Sequence, residues 1–267
     1  MKLLFTDLDG TLLNNDSQVS DGTKAFLDDF LAAGNKLILS SGRPKDSVLE
    51  VKNNAGLTQS GILLICSNGT QVYDCDSRTT IMEKRLPLPY VPYLQEQASR
   101  YDLHIQTYRE DAIVSPAKDR EITFYRRRIH LPLIISPNLA EALTEAPFKM
   151  LAISLDDFDK LESFRRSIAD WAEGKIQTIY SSDMYLELFE HTAGKGNAVR
   201  FVCDHFGVPL SDAYAAGDAD NDISMLEAAG CGIAMANATD KVKQSADIVT
   251  ELDNDWDGLA ALMRKLL

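Results

Sequence analysis

Apolar residues along this chain fall into short continuous runs separated by amphipathic stretches, and the alternation of the two predicts most of the fold. Residues 2–6 read as a strand buried on both faces. Ser20 then stands where a helix N-cap belongs, Phe26, Leu27, Phe30 and Leu31 form a helical stripe, and Gly34 stops it. "KLILSSGR" is a second buried strand that ends at Ser40 and Ser41. Pro44 opens a helix running to Gly56, and "GILLICSNG" is a third strand. This β-α-β-α-β rhythm implies parallel strands joined by right-handed crossovers.

The rhythm then changes. "TQVYDCDSRTTIMEKRL" reads as a hairpin-like pair of strands, and prolines 87, 89 and 92 precede a helix over 94–101. "LHIQTYRE" and "ITFYRRRIHLPLII" read as strands, Pro137 starts another helix, and "FKMLAISL" is a strand. A helix over 156–172 carries Phe158, Leu161, Phe164, Ile168 and Trp171 on one face, and "KIQTIYSS" and "MYLELFE" are strands. Afterwards the first rhythm returns: a helix over 194–206, a strand in "DAYAAGD", a helix over 223–229, strand "CGIAMA", a helix over 240–245, strand "DIVT" and a C-terminal helix. The expected architecture is a doubly wound α/β domain with a parallel sheet, built from 1–81 and 188–267. An inserted, cap-like α+β domain over 82–187 interrupts it. In such sheets ligands collect at the carboxyl ends of the strands, where Asp7, Asp9, Ser41 and Asp218 all fall.

Composition narrows the function. Forty acidic against 27 basic residues leave a net charge of −13, which argues against an electrostatic nucleic-acid binder and gives no reason for binding to an anionic membrane. No run approaches the ~18–20 apolar residues of a membrane span. Cys66, Cys75, Cys203 and Cys231 form no C-x-x-C and read as free thiols; with no leader-like N-terminus, a soluble cytoplasmic protein is expected. His104, His130, His191 and His205 share no spacing and read as structural or surface residues. Arg126, Arg127 and Arg128, placed in a strand, would point to alternate faces and read as a solvated edge.

Four polar clusters carry candidate chemistry. Asp7 and Asp9 end the first strand, where unpaired buried carboxylates are costly unless they are paired or bind a metal. Gly10 permits a close turn whose amides can face an anion, and Thr11 is expected to fix that turn; an Asx-turn or cap also fits. A calcium loop does not, because Leu12 and Leu13 occupy the stretch where further oxygen ligands belong. Ser40, Ser41, Gly42 and Arg43 end the second strand, where a hydroxyl and a guanidinium suit a phosphate oxygen, although a serine cap before Pro44 also explains them. Lys195 opens a helix, where the dipole disfavours a cation unless an anion sits there too; taken alone, it reads equally as a solvated surface lysine. Asp218, Asp220, Asn221 and Asp222 suit a hard oxygen-ligated cation or form an acidic surface loop.

Taken together, "DLDGTLL", "LSSGR", Lys195 in "GKGNAV" and "GDADND" resemble the haloacid dehalogenase superfamily. Their order and spacing, with "SNGT" at 67–70, resemble its Cof-type, sugar-phosphatase-like branch, which carries a large α/β cap. The resemblance implies a Mg2+-dependent phosphatase of small phosphorylated metabolites, sugar phosphates foremost. It implies no nucleic-acid or membrane partner; the expected state is a monomer or small homo-oligomer. Asp7 matches the nucleophile that forms an aspartyl-phosphate, Asp9 the general acid/base, and Lys195 the catalytic cation. Metal ligation is implied for Asp7, Asp9 through its carbonyl, Asp218 and Asp222, the last also as an acid orienting the metal site or Lys195. Substrate contacts are implied at Leu8, Gly10, Ser41, Gly42, Arg43, Asn68, Lys195 and Asn221. Ser41 stands where threonine is common, and either hydroxyl serves. Asp9 is expected to be partly buried near other anions, which would favour its protonated form. A phosphomutase would keep the same four motifs, whereas a non-catalytic phosphate sensor would not need the nucleophile.

Overall fold

The computed structural model describes residues 1–267 and opens with β1 (Leu3–Thr6), α1 (Asp21–Ala32), β2 (Lys36–Ser40), α2 (Lys45–Asn54), β3 (Ile62–Cys66), β4 (Gln71–Asp74) and β5 (Thr79–Glu83). The middle of the chain adds α3 (Tyr90–Ser99), β6 (His104–Tyr108), β7 (Ile113–Ser115), α4 (Arg120–Tyr125), β8 (Leu133–Ile135) and β9 (Lys149–Ile153), then α5 (Phe158–Ser167), α6 (Ala169–Ala172), β10 (Ile176–Ser182) and β11 (Tyr185–Glu190). The last segment supplies α7 (Lys195–Phe206), β12 (Ala213–Gly217), α8 (Ile223–Ala228), β13 (Cys231–Ala234), α9 (Asp240–Ser245), β14 (Ile248–Val249) and α10 (Gly258–Leu266). No helix is long and apolar enough to cross a membrane.

The chain divides into two units. Met1–Gly42, Val48–Met82 and Gly194–Leu267 form one; Arg43–Ser47 and Glu83–Ala193 form the other. The second unit runs past the expected residue 187 because β10 and β11 stay paired to Ile176 and Glu190. The Gln177 amide then donates to the carbonyls of His191 and Ala193 at 2.8 and 2.7 Å.

The first unit is built on an eight-stranded sheet in the order β14-β13-β12-β1-β2-β3-β4-β5. It is parallel from β14 to β3, and β4 turns back antiparallel to β3. Its central strands are apolar throughout because both faces are covered. Leu4, Leu37, Leu39 and Leu64 pack against Phe26, Leu27, Val48, Leu259 and Met263 of α1, α2 and α10. Leu3, Phe5, Ile38 and Ile65 pack against Val199, Val202, Met225, Leu226 and Val242 of α7, α8 and α9. Ser20 caps α1 as expected, its hydroxyl accepting from the Thr23 amide. The chain leaves β1 toward β2 on one side and returns at β12 on the other. The strand order therefore reverses between β1 and β12, and a crevice forms at their carboxyl ends.

The second unit holds a six-stranded sheet, order β10-β11-β9-β6-β7-β8. One face packs Ile105, Met150, Ala152, Leu186 and Leu188 against Val91, Leu94, Leu161 and Phe164 of α3 and α5. The other packs Tyr108, Leu151 and Ile153 against Ile122 and Tyr125 of α4. Here local patterning misleads most. The run "ITFYRRRIH" is not a strand: Asp119 caps α4 by accepting from the Ile122 amide at 3.0 Å, and Ile122 and Tyr125 bury one turn apart. Arg126, Arg127 and Arg128 all lie exposed at the C-terminal end of that helix, so they do not alternate across a sheet. Residues after Pro137 form only a 3-10 turn at Ala140–Ala142, and the short strand β7 carries no alternation long enough to announce it. The helix expected over 156–172 breaks at Ile168 into α5 and α6, and Phe158 at its start is exposed. α3 begins earlier than expected, since Pro92 lies in its first turn, where a missing N–H costs no helical bond. His104 is buried, with Nδ1 2.7 Å from Asp119 and Nε2 3.0 Å from Gln106. Lys149 and Glu187 form a buried ion pair at 2.7 Å.

Candidate active site

The site lies within the first unit, at the carboxyl ends of β1, β2, β3 and β12 and the start of α7. Asp7 follows β1, its amide donating to the Ala216 carbonyl of β12 at 3.0 Å. A tight turn follows, in which the amides of Thr11 and Leu13 both donate to the Leu8 carbonyl. Leu8 itself is fully buried in the apolar core, so only its backbone faces the site. Gly10 sits at φ +82°, and a Cβ there would lie 2.5 Å from an Asp218 oxygen. The turn and the β12 loop can approach this closely only with glycine. The Thr11 hydroxyl, expected to fix its own turn, instead donates to Asp218 Oδ1 at 2.7 Å and ties the turn to the loop after β12.

Lys195 opens α7 and is 1% exposed. Its Nζ donates to Asp7 Oδ1 at 2.6 Å, to Asp222 Oδ1 at 2.5 Å and to the Ser40 carbonyl at 3.3 Å. Burial alone would pull its pKa down; the carboxylates of Asp222 and Asp7 outweigh that, and the ammonium is held above its ordinary value. The Asp7 carboxyl is pushed up by burial, drawn down by Lys195, and pushed up again by Asp222, Asp218 and Asp9. Asp218 is raised to about 6, by burial first and then by Asp222. Carboxylate oxygens of Asp7, Asp218 and Asp222 all lie within 4.8 Å of one another. With all three carboxyls ionised, one ammonium would leave a local excess of two negative charges, which a divalent cation would balance.

Asp222 differs from a freely offered metal ligand. Its Oδ1 is taken by Lys195, and its Oδ2 accepts from the amides of Asp218 and Ala219, both at 3.1 Å. It anchors the lysine and the turn after β12. Asp220 is not part of the cluster, being paired with Lys241 at 2.6 Å. Asp9 is exposed, against the partial burial expected of it. Ser41 is held by backbone bonds on both sides: its amide donates to Ile65, and its carbonyl accepts from the Asn68 amide at 3.0 Å. Asn221 donates through Nδ2 to Asn68 Oδ1 at 3.1 Å. Arg43 groups with the second unit, where its charge reaches the Tyr125 hydroxyl. The sequence reading missed the Ser40 carbonyl on Lys195 and Asn237, whose Nδ2 donates to the Gly10 carbonyl at 2.8 Å. Ser40 could have been found beside Ser41; Asn237, 227 residues from Gly10, carries no local signal.

A sequence profile for haloacid dehalogenase-like hydrolases matches residues 4–263. The chain belongs to the haloacid dehalogenase-like hydrolases. Among curated relatives of this hydrolase, phosphatase YwpJ of Bacillus subtilis is 28% identical, with all of both chains covered. The 5-amino-6-(5-phospho-D-ribitylamino)uracil phosphatase YwtE of the same organism is 29% identical over 100% of this chain and 98% of its own. The crystal structure of a haloacid dehalogenase-like hydrolase from Bacteroides thetaiotaomicron superposes with a TM-score of 0.89 at 29% identity, covering 100% of this chain and 99% of the other. Phosphatases of this family generally use a divalent metal, and the acidic cluster at Asp7 and Asp218 supplies the kind of oxygen donors such an ion takes.

Proposed function

We propose that this phosphatase hydrolyses monoesters of small phosphorylated metabolites, sugar phosphates foremost, through an aspartyl-phosphate on Asp7. The observation that carries the reading is the buried Asp7–Lys195–Asp222 arrangement with Asp218 beside it. A carboxylate meets a phosphoryl group only if nearby positive charge offsets their repulsion, and Lys195 is fixed to do so. An Asp7 oxygen attacks phosphorus, the ester P–O bond breaks, and the departing oxygen takes a proton from Asp9. A water then attacks the phosphoryl group and gives its proton to Asp9, and Asp7 is released with inorganic phosphate. Exposure of Asp9 keeps its carboxyl within reach of solvent and leaving group. Ser41, the amides around Gly10 and Asn221 are read as holding phosphoryl oxygens.

The donor set is all oxygen and suits a hard cation, so Mg2+ fits. Asp7, Asp218 and the Asp9 carbonyl would hold it, and when bound it supplies positive charge that favours the ionised nucleophile and the phosphoryl oxygens. Asp222, with both oxygens engaged, is read as the residue that holds Lys195 in place. A phosphorylated polyol chain is what the name of the relative YwtE describes, which supports a small sugar- or polyol-phosphate substrate.

The test is phosphate release from a panel of sugar phosphates, polyol phosphates and nucleotides, with Mg2+, with EDTA and with Asp7→Asn. Release that needs Mg2+ and disappears in Asp7→Asn is expected, with sugar or polyol phosphates ranked first. Binding without release from any compound would overturn the hydrolase reading.

A further inference from the structure

We propose that Asn237 is a positioning residue for Asp9, its side-chain amide holding the crest of the turn that carries that carboxyl. The proposal rests on the reading of Asp9 as the acid that protonates the leaving oxygen. Both feet of the turn are held from within. The Leu8 carbonyl accepts from the amides of Thr11 at 3.4 Å and Leu13 at 2.8 Å, and the Asp7 carbonyl accepts from that of Leu12 at 3.3 Å. Asp9 and Gly10 form the crest between them. Gly10, at φ +82°, has no side chain to narrow its dihedral freedom, and its carbonyl accepts no backbone amide. It accepts instead from Asn237 Nδ2 at 2.8 Å, from 227 residues along the chain.

The segment that presents Asn237 is itself fixed, because the amides on either side of it are engaged. Met235 donates to the Gly217 carbonyl at 3.0 Å and Ala236 to the Thr250 hydroxyl at 2.8 Å. Ala238 donates to the Met235 carbonyl at 2.9 Å and Thr239 to the Asp218 carbonyl at 3.4 Å. Met235 and Ala238 are buried, whereas Asn237 is exposed. These contacts close a ring: Asn237 holds Gly10, Thr239 holds Asp218, and the Thr11 hydroxyl joins Asp218 back to the turn at 2.7 Å. The ring sets where the crest stands relative to Asp218. An exposed side-chain hydrogen bond adds little stability, because water takes its place when it is lost. Its consequence here is geometric. Without it the crest can swing about its feet, and the Asp9 carboxyl swings with it. A displacement of about 1 Å at a reacting group can cost on the order of a hundredfold in rate.

The test compares kcat/KM on alkyl and aryl esters at saturating Mg2+. Ribose phosphate and glucose phosphate release an alkoxide that needs a proton, whereas nitrophenyl phosphate releases a stable phenolate that needs little help from an acid. The ratio kcat/KM covers the steps up to P–O cleavage, before water frees Asp7. Asn237→Leu keeps the size of the side chain and removes the donor. Asn237→Asp keeps its shape and replaces the donor with an acceptor. In both, kcat/KM for the sugar phosphates should fall by roughly ten- to a hundredfold, and that for nitrophenyl phosphate by less than about threefold, with Tm close to wild type. Asp9→Asn calibrates the signature and should show the same selectivity more strongly. An equal loss on both ester classes, or no loss at all, in the Asn237 variants while Asp9→Asn is selective overturns this inference alone. A selective loss confined to one of the two Asn237 variants reflects charge or bulk rather than the lost donor, and overturns it as well. If Asp9→Asn shows no selectivity, or the wild type cleaves neither sugar phosphate, the proposed function fails and this inference fails with it.

Discussion

Lys195 decides the chemistry because its ammonium is bonded to two of three carboxylates whose oxygens lie within 4.8 Å of one another. Replacing it with methionine leaves Asp7 and Asp222 facing each other without a counter-charge. Lys195→Met should lose phosphatase activity and cost about 3–5 kcal/mol of stability near pH 7. Part of that loss should return at pH 5, where the carboxylates can protonate; urea unfolding at the two pH values checks it. Asp218 gives a second dependence on pH. Its pKa is raised to about 6 in the folded protein, so it holds a proton there that the unfolded chain has released. Its proton stabilises the metal-free fold at low pH, and that contribution is lost as pH rises through 6. A cation needs the ionised form, so the Mg2+ concentration giving half-maximal activity should increase as pH falls below 6, and increase less in Asp218→Asn, whose weaker site no longer titrates there. Asp7, Asp9 and Asp218 were legible as candidates because carboxylates are unusual at the ends of buried strands, and Lys195 because of the motif that opens its helix. The engagement of both Asp222 oxygens was not, since one bond is made 27 residues away.

At the scale of single elements, local signals and tertiary ones can disagree, and the second unit shows it. The segment from Ile122 to Tyr125 is rich in strand formers, yet Asp119 makes it a helix by capping its first turn while accepting from His104. Asp119→Ala removes the cap and leaves a buried histidine nitrogen without its partner, which should cost roughly 2 kcal/mol, read from the thermal midpoint. The same substitution should leave phosphate affinity unchanged. The turn between β3 and β4 is a second case: "GILLICSNG" reads as one strand, but β3 ends at Cys66 and the next residues turn at positive φ. Gly69→Ala forces a side chain onto backbone at Gly194 and Lys195, in a conformation that L-residues avoid. It should destabilise by about 3 kcal/mol and lower kcat in the remaining folded enzyme, because the start of α7 carries Lys195.

At the scale of the whole chain, each unit has its own sheet and its own apolar clusters. Calorimetric unfolding should therefore depart from a single two-state transition. Mg2+ should raise the transition of the unit that contains Asp7 and Asp218 and leave the other in place. A single transition that shifts as one would show that the two units unfold together.

The order of strands and helices in the first unit, the cap of α1 and the residues of the four motifs were determined by the sequence itself. Each depends on apolar period, a capping side chain or residue type within a few positions, and such signals act locally. Tertiary structure alone decided the buried Lys149–Glu187 pair, the bond from Asn237 to Gly10 and the unpaired amide of Asn68. Those depend on which segments the topology brings together: Asp7 and Lys195 stand 188 residues apart along the chain and 2.6 Å apart in the fold. No local pattern encodes such a contact; it appears only once β1 and β12 are paired and α7 is packed across them.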